Sequence, residues 1–249
     1  MKRITLFCYI LVSFISCSQS AETTPEKEIE AAISQPEKVL FIGNSHTYFN
    51  DGVDFHVGKM LEGFTLPYTP ELSKAVKGGY SLQDHLNDQE TLDKIQGTDW
   101  DVVVFQENTG IAANERDQAL TSIQNLSLKL DKETKVHLFM TWPYENEPEN
   151  YNTIKILYEE IGPLVKGNVV PVAIAFQNIR NANHMAIDLY ASDGVHTTLE
   201  GTFLTAAMFT LAIYDIDPTE SNYTAGLPQE TADYLKTIAK DVYQKYTSP

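Results

Sequence analysis

"KVLFIGNSHT", Lys38 to Thr47, decides the fold: the apolar run Val39-Leu40-Phe41-Ile42 passes directly into the small polar cluster Gly43-Asn44-Ser45. A continuous apolar run, rather than an alternating one, is the pattern of a parallel strand covered on both faces. Similar runs follow in "DVVVFQ" (Asp101 to Gln106), "KVHLFMTW" (Lys135 to Trp142) and "NVVPVAIA" (Asn168 to Ala175), with a weaker strand signal between Leu66 and Lys77. Amphipathic stretches predict helices near Val53 to Glu62, Glu115 to Leu130, Tyr151 to Val165, Leu199 to Tyr214 and Gln229 to Tyr246. This alternation predicts an α/β fold, a three-layer α/β/α sandwich around a doubly wound, mainly parallel five-stranded sheet. Ligands of such sheets gather beyond the carboxyl ends of the strands. Gly43-Asn44-Ser45, Lys77-Gly78-Gly79, Gln106-Glu107-Asn108 and Trp142 are therefore expected around one crevice.

At 249 residues, with 43% apolar and 21% charged residues, the chain has the size and composition of one soluble α/β domain. Its formal charge of -16 is not relieved by any Lys/Arg cluster, so nucleic acid is not an expected partner. The first residues read as an address: Lys2 and Arg3 precede the apolar run Ile4 to Ile15, and Ser16-Cys17-Ser18 follows. Phe14-Ile15-Ser16-Cys17 resembles a bacterial lipobox. The expected organisation is a lipoprotein signal peptide over 1–17 with Cys17 lipidated, a flexible acidic tether over 18–37, and a folded domain over 38–249. A plain signal cut near Ser18 or Ala21 is the alternative. Both cysteines, Cys8 and Cys17, fall in the signal, so the domain has none for a disulfide, a zinc site or a thiol nucleophile.

Ser45 at a strand end needs a base before it can attack a carbonyl, because a free hydroxyl is a weak nucleophile at neutral pH. "DLYASDGVHTTLEG" supplies one: Asp193 and His196 are separated by Gly194-Val195, so one loop presents imidazole and carboxylate together. A carboxylate beside a His fixes its tautomer and stabilises its cation, as a Ser-His-Asp triad requires. An α/β-hydrolase fold is not indicated, since Thr47 stands where the second glycine of G-x-S-x-G belongs and acid and base share one loop.

Taken together these blocks resemble the SGNH (GDSL-type) hydrolase superfamily, with a likeness that runs from Lys38 to about Leu204. "FIGNS" corresponds to its first block and implies Ser45 as nucleophile. "GGYS" corresponds to the second and implies a backbone N–H of Gly79, in preference to Gly78, as an oxyanion donor beside that of Ser45. The third block, Gly-x-Asn-Asp, aligns with "QENT", implying the Asn108 amide as a further donor; Gln106 replaces the glycine and Thr109 the aspartate, and Gln106 is the fallback donor. The last block, Asp-x-x-His, implies Asp193 and His196 as acid and base. The resemblance implies a flavodoxin-like sheet and acyl transfer to water through an acyl-enzyme, with no cofactor.

His46, His56 and His85 do not form a compact ligand set, so no metal site is expected, and a structural hydrogen bond is the expected role of His85. Carboxylates in "YENEPEN" and "YEE" read as solvated faces rather than a glycosidase pair. Tyr48, Tyr80 and Trp142 follow strand ends and are candidate substrate contacts, since flat rings with polar tips stack on sugars or cover an acyl group. The expected function is a serine esterase, lipid-anchored in a bacterial cell envelope, that removes acetyl or another small acyl group from a carbohydrate. A lipase or thioesterase, and a catalytically silent ligand-binding lipoprotein, are the alternatives.

Overall fold

The computed structural model describes residues 35–182 and 186–248. The expected signal with Cys8 and Cys17, and the expected tether up to residue 34, lie outside the described residues. The compact unit begins at Gln35, three residues before the expected domain boundary. Gln35 Nε2 donates to the Tyr214 carbonyl at 3.3 Å, the Tyr68 hydroxyl donates to the Gln35 carbonyl, and the Glu37 N–H donates to Asp101 Oδ2 at 2.9 Å. These residues are docked on the domain and do not belong to a free linker.

In chain order the elements are β1 (Lys38–Gly43), the single turn α1 (Ser45–Tyr48), α2 (Val53–Leu61), β2 (Glu71–Val76), α3 (Leu82–Leu86), α4 (Gln89–Gln96), β3 (Val102–Phe105), α5 (Thr109–Asn114), α6 (Arg116–Ser127), β4 (Lys135–Phe139), α7 (Tyr151–Val165), β5 (Asn168–Val170), α8 (Val172–Ala182), α9 (Leu199–Tyr214) and α10 (Gln229–Thr247). The strands form one five-stranded sheet in the order β2-β1-β3-β4-β5, with every pairing parallel. Successive strand residues point to opposite faces. Val39 and Phe41 accordingly join one core cluster with Val102, Val104 and residues of α2, α8, α9 and α10, while Leu40 and Ile42 join a second with Val103, Phe105 and residues of α6 and α7. Both faces are covered, which is why Val39 to Ile42 of β1 and all of β3 are apolar.

Helix α9 is buried almost all round, as a helix without a polar face must be. Its Thr205 and Thr210 hydroxyls donate to the carbonyls one turn back, of Gly201 and Ala206, so neither is left unpaired.

One expected strand ends early. "NVVPVAIA" pairs only through Val170, and Val172–Ala182 is helical, because Pro171 has no N–H for the ladder and its fixed φ suits the approach to a helix. "KVHLFMTW" likewise leaves regular strand at Phe139, although the Met140 N–H still donates to the Val170 carbonyl at 3.1 Å.

From β1 the chain moves outward to β2, then returns across β1 to β3. The reversal makes a switch point at the carboxyl ends of β1 and β3, where an open α/β sheet leaves a crevice. Ser45 follows β1 and Asn108 follows β3.

Candidate active site

The nucleophile end is built around Asn44. Its Oδ1 accepts from the His46 N–H at 3.1 Å and caps α1, its Nδ2 donates to the Tyr80 carbonyl at 2.9 Å, and its own N–H donates to Gln106 Oε1 at 2.7 Å. Gly43 is required here: a Cβ at that position would lie 2.4 Å from Gln106 Oε1. Gln106 also accepts from the Thr47 hydroxyl at 3.1 Å and donates through Nε2 to the Glu107 carbonyl at 2.7 Å. Its amide is buried and committed to the strand end, so the fallback oxyanion role for Gln106 is corrected to a structural one.

The acid and base lie in a loop closed by the Tyr190–Thr197 bridge and by the Ala191 N–H donating to the His196 carbonyl at 2.8 Å. Gly194, with φ +67°, supplies the left-handed residue that the reversal needs. Asp193 Oδ1 accepts the backbone N–H groups of Val195 and His196, each at 2.9 Å, and Oδ2 accepts from His196 Nδ1 at 2.6 Å. Nδ1 thus carries the ring proton and Nε2 is free to accept from the Ser45 hydroxyl at 2.8 Å. The bond from His196, followed by the two backbone N–H groups, holds the Asp193 carboxyl down to about 2.

Three contacts fix this loop against the sheet. The Val195 carbonyl accepts from His46 Nε2 at 3.0 Å and from Trp142 Nε1 at 3.2 Å, and the Glu145 N–H donates to the Gly194 carbonyl at 2.8 Å. His46 must be protonated on Nε2 to serve a carbonyl, and burial pushes its pKa down to about 4, so it is neutral at ordinary pH. Trp142 is fully buried, stacked on Phe176 with ring centroids 4.2 Å apart. Its expected role as a substrate contact is corrected: after Phe139 the chain leaves the strand and the indole turns into the core, with only its N–H directed at the site loop. Phe49 covers one face of His196 at 4.4 Å between centroids, nearly parallel to it.

On the opposite wall Gly79 is exposed with φ +73°, and no heavy atom lies within 4 Å of where a Cβ would stand. Asn108 Oδ1 accepts from the Gly110 and Ile111 N–H groups and caps α5, while Nδ2 donates to the Gly79 carbonyl at 3.0 Å. An amide has two N–H donors, so this bond leaves a second one. Tyr48 is partly exposed, with its hydroxyl beside Gly78, and Tyr80 packs edge-on to His85, so the two rings flank the oxyanion loop. His85 is buried, bonded to the Gly43 carbonyl and to Thr91 Oγ1 at 2.8 Å each, the structural use expected of it.

The structure thus brings Ser45, His196, Asp193, Gly79 and Asn108 to one crevice. His46, Phe49 and Glu107, which support them, were legible only as neighbours of motif residues. Among the described residues no group of three or more His, Cys, Asp and Glu side chains is placed to hold a metal ion.

No protein-family model and no curated protein matches the chain. Solved structures do. A DUF4886 family protein from Bacteroides uniformis superposes with a TM-score of 0.68 at 18% identity, covering 85% of this chain and 96% of that one. A candidate SGNH hydrolase from Slackia heliotrinireducens gives 0.60 at 23% identity, covering 72% and 98%, and an acetylxylan esterase from Geobacillus stearothermophilus gives 0.57 at 18%, covering 73% and 95%. The chain has the fold of the SGNH hydrolases.

Proposed function

We propose that the protein is a serine esterase that cleaves a small acyl group, acetyl foremost, from a carbohydrate. The observation that carries the reading is the relay from Ser45 Oγ to His196 Nε2 at 2.8 Å and from His196 Nδ1 to Asp193 Oδ2 at 2.6 Å, assembled from residues 151 positions apart. His196 takes the hydroxyl proton as Ser45 Oγ bonds to the ester carbonyl carbon, and the carbonyl π electrons move to oxygen. The N–H groups of Ser45 and Gly79 and the second N–H of Asn108 receive that oxyanion; one such donor contributes about 3 kcal/mol in comparable sites. Collapse of the intermediate expels the alcohol with the proton from His196, and water repeats the sequence on the acyl-enzyme. Asp193 stays ionised throughout and stabilises the imidazolium.

For the substrate, an open polar hollow of about 560 Å³ adjoins Asp193 and is bordered by Tyr144, Glu145, Asn146 and Glu147. Acidic, hydroxyl-bearing walls and a chain charge of -16 favour a neutral polyhydroxyl leaving group over a polyanion or a long acyl chain. Catalytic mutants of the Geobacillus acetylxylan esterase with a serine or a histidine changed to alanine share the fold, and these are the residue types that meet here. The same proposal places the protein in a bacterial cell envelope, anchored through Cys17.

Hydrolysis of acyl esters of graded chain length by wild type and Ser45→Ala tests the reaction. Acetyl esters should be cleaved best, and the variant should lose activity almost completely. Activity retained by Ser45→Ala would sink the mechanism, whereas wild type inert to every ester would favour a binding protein. Fatty-acid labelling should disappear in Cys17→Ser, and unchanged labelling would refute the anchor.

A further inference from the structure

The geometry points to Glu107 as the positioning residue of the oxyanion hole, one carboxyl oxygen that ties the segment carrying Gly79 to the segment carrying Asn108. This inference rests on the esterase reading above. Glu107 occupies the variable position of the "QENT" block, and its side chain is fully buried at the junction of β3 and α5. A carboxyl in that environment is costly unless its oxygens are bonded. Oε1 accepts the Leu82 N–H at 3.0 Å and the Asn108 N–H at 2.7 Å. Leu82 opens α3, three residues after Gly79, and Asn108 in turn donates through Nδ2 to the Gly79 carbonyl at 3.0 Å. Glu107, Asn108 and the 79–82 segment therefore close a ring of hydrogen bonds around the two donors. Oε2 has no hydrogen-bond partner among the described residues, and desolvation raises the carboxyl pKa to about 7.

The consequence is positional. Removing Oε1 orphans two backbone N–H groups and frees the Gly79 segment to move relative to Ser45. Catalytic geometry is sensitive to shifts on the order of 1 Å, which cost up to about a hundredfold in rate. Gln keeps an acceptor oxygen at the same reach and matches the neutral carboxyl in shape. Asp keeps a carboxyl but is one methylene too short to bridge both segments.

The test compares full-length wild type, Glu107→Leu, Glu107→Asp, Glu107→Gln and Ser45→Ala. It reads kcat and KM on p-nitrophenyl acetate, the rate of phosphonylation by a fluorophosphonate whose oxygen occupies the oxyanion hole, and thermal unfolding. Glu107→Leu and Glu107→Asp should each lower kcat about tenfold or more with KM within about twofold, and slow phosphonylation in parallel. Glu107→Gln should rescue both rates to within about threefold of wild type. Should Glu107→Leu not fold, the Asp and Gln pair decides. The clamp is overturned if Glu107→Leu or Glu107→Asp keeps wild-type kcat, if KM alone changes, or if Gln is no better than Asp. Wild type as inert as Ser45→Ala to both reagents would overturn the esterase reading and the clamp with it; active wild type with indifferent Glu107 variants overturns the clamp alone.

Discussion

Two carboxyl groups serve the two walls of the crevice, and although each accepts two backbone N–H groups, one has its pKa lowered and the other raised. Asp193 accepts two backbone N–H groups and one imidazole N–H with its side chain about half exposed, and its pKa is held down to about 2. Glu107 accepts two backbone N–H groups at zero exposure, and its pKa is raised to about 7. Two backbone N–H bonds lower the pKa in both cases, so the difference comes from the His196 ring N–H that also bonds Asp193 and has no counterpart at Glu107, and from the burial that disfavours charge on Glu107. In the proposed mechanism one wall faces a transient imidazolium and is served by a charge. In that mechanism the other wall faces a developing oxyanion, and the burial that raises the Glu107 pKa limits the negative charge set against it.

The largest effect is expected at Asp193. Asp193→Ala should lower kcat/KM on an acetyl ester by roughly 10³ to 10⁴, as loss of the carboxylate does in the Ser-His-Asp template, and a loss below about tenfold would show that the loop orients His196 without it. The next largest effect lies in stability against pH. Glu107 has a raised folded pKa, so its contribution is fully present below the unfolded value of 4.5 and is lost as pH rises to about 7, by roughly 3 kcal/mol. Urea unfolding at pH 5 and pH 8 should show that slope in wild type and a flatter one in Glu107→Gln. His46 and His137 run the other way: both are lowered by burial to about 4, so their contribution is present above 6.5 and falls by roughly 3 kcal/mol each as pH drops to 4. His46→Gln should flatten that acid limb, and an unchanged limb would exclude it as a source.

Smaller effects sharpen the picture of how the His196 loop is held. Trp142→Phe keeps the stacked ring but removes the donor to Val195, leaving His46 to serve that carbonyl; a loss of about 1 kcal/mol in stability and a modest fall in kcat are expected from unfolding curves and ester kinetics. Phe49→Leu should cost the least, about threefold in kcat, since it removes a stacking contact worth about 0.5 to 1.5 kcal/mol while keeping an apolar cover over His196.

The sheet was legible because burial on both faces writes each of β1 and β3 as an unbroken apolar run. Asp193 and His196 were legible because they stand three residues apart in one loop, and Ser45 because it follows directly on the apolar run of β1. Trp142 misled for a physical reason: it follows a strand, but its ring packs on Phe176, and sequence position does not state which way a side chain turns. Gln106 misled similarly, because a polar residue buried to brace a loop and one presented to a substrate look alike in a string of letters. The early end of β5 was written in Pro171, although the apolar residues on both sides of it disguised the change from strand to helix.

Asp193 and His196 form their bond within one four-residue turn, whereas Ser45 and His196 meet only when β1 and the loop before α9 are both in place. The first contact is local and survives small displacements of the loop. The second closes over 151 residues, and it is the one that reports whether the domain is intact. Turnover in denaturant is thus a gauge of global order, and a damaged molecule would retain a formed acid–base pair with no nucleophile to act upon.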